Sequence, residues 1–100
     1  MSQANDAATR LIRITGTVQG VWFRGWTVKT ARSLGLSGWV RNRRDGSVEA
    51  LFHGPTIAVD EMIVACGKGP PAVRVEEVTV VEAPPPEKDL ADGFVQRPTI

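Results

Sequence analysis

The chain has 100 residues, 42% of them hydrophobic and 23% charged, with a formal charge of +1; these values suit one soluble globular domain with a single core. No apolar run approaches the ~20 residues that span a bilayer. The polar opening MSQANDAATR lacks the apolar stretch of a secretory signal, and a near-zero charge argues against bulk attraction to nucleic acid. A cytoplasmic monomer with no membrane or nucleic-acid partner is therefore expected.

Residues 1–8 read as a disordered leader ahead of a domain spanning 9–98. Leu11-Ile12-Arg13-Ile14-Thr15 is rich in strand formers and stops at Gly16, which predicts a strand with Ile12 and Ile14 on one face. Gly16-Thr17-Val18-Gln19-Gly20-Val21 follows as a loop. From Phe23 the period changes: Phe23, Thr27, Ala31 and Leu34 fall at helical spacing, and Gly35 supplies a C-terminal stop. Trp22 and Trp26 flank this helix, and periodicity does not place them.

Residues 38–42 and 47–53 are strand-like and are joined by Arg43-Arg44-Asp45-Gly46, where Asp-Gly signals a hairpin because its turn needs a positive φ. Pro55 suits the first turn of a second helix, in which Val59, Met62, Ile63 and Cys66 share one face; Gly67 and Gly69-Pro70-Pro71 end it. Residues 73–81 predict a long strand, bulged where the alternation breaks between Val75 and Val78. Residues 83–88 form a stiff proline loop, and residues 94–97 a short final strand. This order is that of a ferredoxin-like α+β sandwich, βαββαβ, an antiparallel sheet with two helices on one face and a short extra C-terminal strand. The fold alone selects no function.

The junction of the first strand and helix carries the most chemistry. A glycine-bearing turn there presents backbone N–H groups at the positive end of a helix, which suits an anion. Arg24 adds a guanidinium fork that can bind two phosphate oxygens. Equally, a turn beside a surface arginine is a common structural arrangement. No Gly-Lys-Ser/Thr follows, so this is not a Walker loop, and no clustered carboxylates suggest magnesium. Cys66 and His53 are each the single residue of their type; they make no zinc site or nucleophile–base pair, and Cys66 reads as a buried core thiol. Arg41, Arg43 and Arg44 cluster while acids gather later in the chain, which fits either a solvated face or a small anion drawn to one end.

Gly16-x-Val18-Gln19-Gly20-Val21-x-Phe23-Arg24 resembles the phosphate-binding signature of acylphosphatases. Ala31-x-x-Leu34-Gly35-Leu36-x-Gly38-Trp39-Val40-x-Asn42, then Asp45-Gly46-x-Val48-Glu49, is similar to the same family, and the likeness runs from about Arg10 to Arg97. The resemblance implies metal-independent hydrolysis of carboxyl-phosphate mixed anhydrides: a small-molecule acyl phosphate is the substrate, inorganic phosphate a product, and no cofactor is needed. It implies a phosphate cradle of Gln19, Gly20, Val21, Trp22, Phe23 and Arg24, with Arg24 and Asn42 catalytic and Asn42 positioning water. Arg41, Arg43 and Arg44 carry no implied role. Some family members place a small hydroxyl residue after the asparagine, where this chain has Arg43. Two other readings are weighed: a non-enzymatic module binding RNA or protein through Trp22, Trp26 and nearby arginines, and a domain like that of hydrogenase-maturation factors acting on carbamoyl phosphate.

Overall fold

Strand alternation decides which side of the sheet is dry. Ile12 and Ile14 are fully enclosed, whereas Leu11, Arg13 and Thr15 between them are half-buried on the opposite face. The computed structural model describes residues 6–20, 22–71, 73–82 and 93–100. Its elements are β1 (Ala7–Thr17), α1 (Phe23–Ser33), β2 (Ser37–Asn42), β3 (Val48–Pro55), α2 (Thr56–Lys68), β4 (Arg74–Glu82) and β5 (Phe94–Gln96). They build a five-stranded sheet in the order β4-β1-β3-β2-β5, and the core lies between this sheet and the two helices.

The expected order of elements is present, with four differences. The sheet is mixed rather than antiparallel, because β5 runs parallel to β2. β4 ends beside Leu11, at the end of the sheet where β2 begins, so a chain returning beyond β2 from there runs alongside it in the same direction. β1 starts at Ala7, inside the segment expected as leader, because Ala7 and Ala8 pair with Pro55 and Gly54 and Ala8 is buried. Pro55 closes β3 and caps α2 instead of entering its first turn. Finally, α2 continues through Gly67 to Lys68 before Gly69 turns the chain at φ 66°. The bulged strand is borne out: β4 slips register against β1 at Leu11/Ile12 and at Thr15/Gly16. Residues 1–5 and the proline loop at 83–88 lie outside the described residues.

α1 packs over β2 and β5, and α2 over β1, β3 and β4. Phe52 and Phe94 stack in the core with ring centroids 5.4 Å apart, which fastens the short β5 to β3 across β2. Cys66 is enclosed by the same core, and burial pushes its thiol up to about 12, so it stays protonated and inert. On the opposite face Trp39 and Leu51 form a small second cluster with Leu11. There Arg41 and Arg97 lie over the Trp39 ring at 4.5 and 5.0 Å. Thr9 and His53, a cross-strand pair, hydrogen-bond at 2.7 Å, a structural role for the single histidine. Among the described residues no helix is long and apolar enough to cross a membrane.

Candidate active site

The segment from Val18 to Phe23 turns β1 into α1. Val18 and Phe23 are buried and anchor both ends of the turn. Between them Gly20 takes φ 77° and Trp22 takes φ 65°, ψ 18°. Gly20 has no β-carbon to crowd in that left-handed region. Trp22 does, and holding it there costs about 1–3 kcal/mol; among the described residues it is the one non-glycine with positive φ. Left-handed residues in such a turn swing successive N–H groups toward a common point, a concavity suited to an anion. Val21 lies outside the described residues.

α1 begins without the usual protection of a helix end. No side chain caps it and its first turn holds no acid, so the first-turn N–H groups keep their unpaired positive end. Arg24 stands in this turn, half-buried, and among the described residues no carboxylate pairs with it. A hollow of about 160 Å³ opens here, lined by Val18, Gly20, Trp22, Phe23, Arg24, Gly25 and Gln96. A larger groove of about 540 Å³ runs along α2 between Ile57, Asp60, Glu61, Val64, Ala65 and Lys68. It follows a single helix and brings no set of donors together, so the smaller hollow is the better site.

Asn42 ends β2 and does not line the hollow. The Gln19 amide nitrogen links the two, donating to the carbonyls of Arg43 at 2.7 Å and Ser47 at 2.8 Å, the two ends of the hairpin turn. With both amide hydrogens engaged, the Gln19 side chain is a strap between loop and hairpin. The Asn42 backbone is held by Val48 across the sheet and by the Ile100 N–H, which donates to its carbonyl at 3.2 Å. Among the described residues its side-chain oxygen is buried with no hydrogen-bond partner. A buried acceptor left so is costly unless it serves a purpose, and it can take a proton-donating contact from water.

The family model for acylphosphatase matches residues 10–95. The chain belongs to the acylphosphatase family. It is 56% identical to an acylphosphatase of Rhodospirillum rubrum over 92% of this chain and 98% of that protein. Among solved structures it resembles an acylphosphatase from Coxiella burnetii, with TM-score 0.80 and 28% identity over 97% of this chain and all of that one. It also resembles HypF from T. kodakarensis, with TM-score 0.77 and 28% identity, matching 95% of this chain but 12% of HypF.

Of the residues expected at an acylphosphatase site, the structure gathers Gly20, Trp22, Phe23 and Arg24 around one hollow, and ties Gln19 to the hairpin that carries Asn42. Arg41 and Arg43 are committed elsewhere: both bind the buried Glu49, at 2.7 and 3.3 Å. The nearby Ser47 hydroxyl is committed elsewhere and donates to Asp45 at 2.6 Å. That bond, with the Ser47 backbone N–H, holds the Asp45 carboxyl below its ordinary range. Two residues of the hollow were not anticipated, Gly25 and Gln96. A β-carbon at Gly25 would collide with the Trp22 indole, so glycine lets that ring lie against the helix. Gln96 follows from alternation in β5, where Phe94 is buried, Val95 is exposed and Gln96 returns to the helix side.

Proposed function

We propose that this acylphosphatase-family chain hydrolyses acyl phosphates to carboxylate and inorganic phosphate without a metal ion, as a cytoplasmic monomer. The phosphate is held by the loop amides between Gln19 and Arg24 and by the Arg24 fork, and Asn42 orients the attacking water. The observation that carries the reading is the uncapped start of α1 with an arginine in its first turn that no carboxylate pairs with among the described residues. A cation at the positive end of a helix is unfavourable by itself, and a bound dianion reverses the sign of both effects.

The water oxygen forms a bond to phosphorus, and the bond from phosphorus to the acyl oxygen breaks. The electron pair leaves on the carboxylate, and one water proton passes to a phosphate oxygen of the substrate. Phosphoryl transfer of this kind needs positioning and charge stabilisation on the equatorial oxygens more than covalent help. A carboxylate is also a weak base, so departure needs no strong acid. Among the described residues the hollow is lined by no carboxylate, histidine or thiol, which fits a mechanism that uses backbone and guanidinium donors. The test is hydrolysis of acetyl phosphate in excess chelator. Undiminished turnover, with ordinary phosphate monoesters much poorer substrates, is expected. Activity lost on chelation and restored by a divalent ion contradicts the mechanism.

A further inference from the structure

The hollow has a floor and a mouth. Val18 and Phe23 are each about 1% exposed and form the floor, whereas Trp22 is 65% exposed and Gln96 is also exposed. A phosphate seated on the loop amides and Arg24 must project its acyl substituent through that mouth. Among the described residues, Gln96 carries the one amide side chain in the lining, and that side chain has no hydrogen-bonding partner. The Trp22 indole nitrogen edge is turned against Gly25. Resting on the acylphosphatase reading above, the geometry points to Gln96 as a leaving-group residue, whose amide N–H donates to the acyl oxygen that becomes carboxylate.

Its placement is well supported by the backbone. Gln96 pairs with Val40 of β2, two residues before Asn42. The Arg97 N–H donates to the Val40 carbonyl at 2.9 Å, and the Arg32 side chain donates to the Phe94 carbonyl at 3.1 Å. β5 is thereby tied both to the strand carrying Asn42 and to the helix carrying Arg24. When the bond from phosphorus to the acyl oxygen breaks, charge grows on that oxygen. A donor aimed there stabilises the transition state more than the bound substrate. No proton is transferred to or from Gln96, so the step balances as written above.

The experiment compares wild type, Gln96→Leu and Gln96→Glu on benzoyl phosphates whose ring substituents vary the acidity of the leaving acid. Inhibition by orthophosphate is measured on each protein. Gln96→Leu is expected to lose about tenfold in kcat/KM for the most basic leaving group, and progressively less as the acid strengthens, so its dependence on leaving-group acidity is steeper than wild type. Gln96→Glu should lose more, because it sets a like charge against the departing carboxylate. Orthophosphate inhibition should be unchanged in Gln96→Leu, because the amide serves the acyl end. A uniform loss across the series overturns the inference, since it marks a structural effect. Phosphate affinity falling in step with kcat/KM also overturns it, by making Gln96 part of the cradle. If wild type hydrolyses none of the series, the proposed function fails and takes this inference with it.

Discussion

The arginines of the hairpin and the arginine of the loop are held in opposite ways. Arg41 and Arg43 converge on Glu49, which is 6% exposed, and Arg41 also lies over Trp39. Every charge in that group has a partner. Among the described residues no carboxylate pairs with Arg24, which stands in the first turn of α1, two residues after the left-handed Trp22. A satisfied cluster stabilises the fold and has little left for a ligand; an unsatisfied one is poised for whatever anion completes it. Counting arginines along the chain would therefore pick the wrong region, because two of the three in the denser group are tied to Glu49.

The contrast can be broken by exchanging what each region loses. Arg24→Lys should cost two to three powers of ten in kcat/KM, roughly as much as Arg24→Ala, because an ammonium keeps the charge but not the planar fork. Neither change should lower the melting temperature without phosphate. Wild-type turnover in folded Arg24→Lys would show that two-point binding is unnecessary. Glu49→Ala should do the reverse, losing about 1–3 kcal/mol of stability while kcat/KM stays within severalfold, since it strands two guanidiniums on the far face of the sheet. Chemical denaturation checks it, and an unchanged midpoint would remove the hairpin cluster from the account of stability.

The smallest effect concerns acid. Asp45 is held below its ordinary carboxylate range chiefly by the Ser47 hydroxyl and next by the Ser47 backbone N–H. Its folded pKa lies under its unfolded one, so its contribution is present above the unfolded value and fades as pH falls through the folded one. Asp45→Asn should flatten the acid limb of the stability profile slightly and leave neutral activity alone. An unaltered acid limb would mean that the turn bonds do not discriminate between charge states.

Much of this architecture is visible in the chain because one face of each element is dry. Ile12 with Ile14, and Val59 with Met62 and Cys66, announce their elements by spacing. The direction of β5 is not visible, because it depends on which edge of the sheet β4 leaves free. The pairing of Arg41 with Glu49 is a consequence of hairpin register. Nothing local marks Trp22 as left-handed, and Gly25 becomes meaningful only once the indole lies on it. At the site, residue chemistry by itself leaves the glycine turn and Arg24 open to an ordinary structural role. The family resemblance singles out Arg24 and Asn42. The structure adds the uncapped helix, the Gln19 strap and the buried oxygen of Asn42, which has no partner among the described residues.

The central claim is that Arg24 binds phosphate while Asn42 positions water, and thermal melting in orthophosphate tests it most directly. A ligand that binds only the folded state adds RT ln(1 + [L]/Kd), about 2.7 kcal/mol at a hundredfold excess over Kd. With ionic strength matched by chloride, wild type and Asn42→Ala should gain the same stabilisation, and Arg24→Ala clearly less, although Asn42→Ala has lost most of its turnover on acetyl phosphate. If Asn42→Ala loses the phosphate shift as fully as Arg24→Ala, or keeps the shift and turns over like wild type, the division of labour between these two residues is wrong.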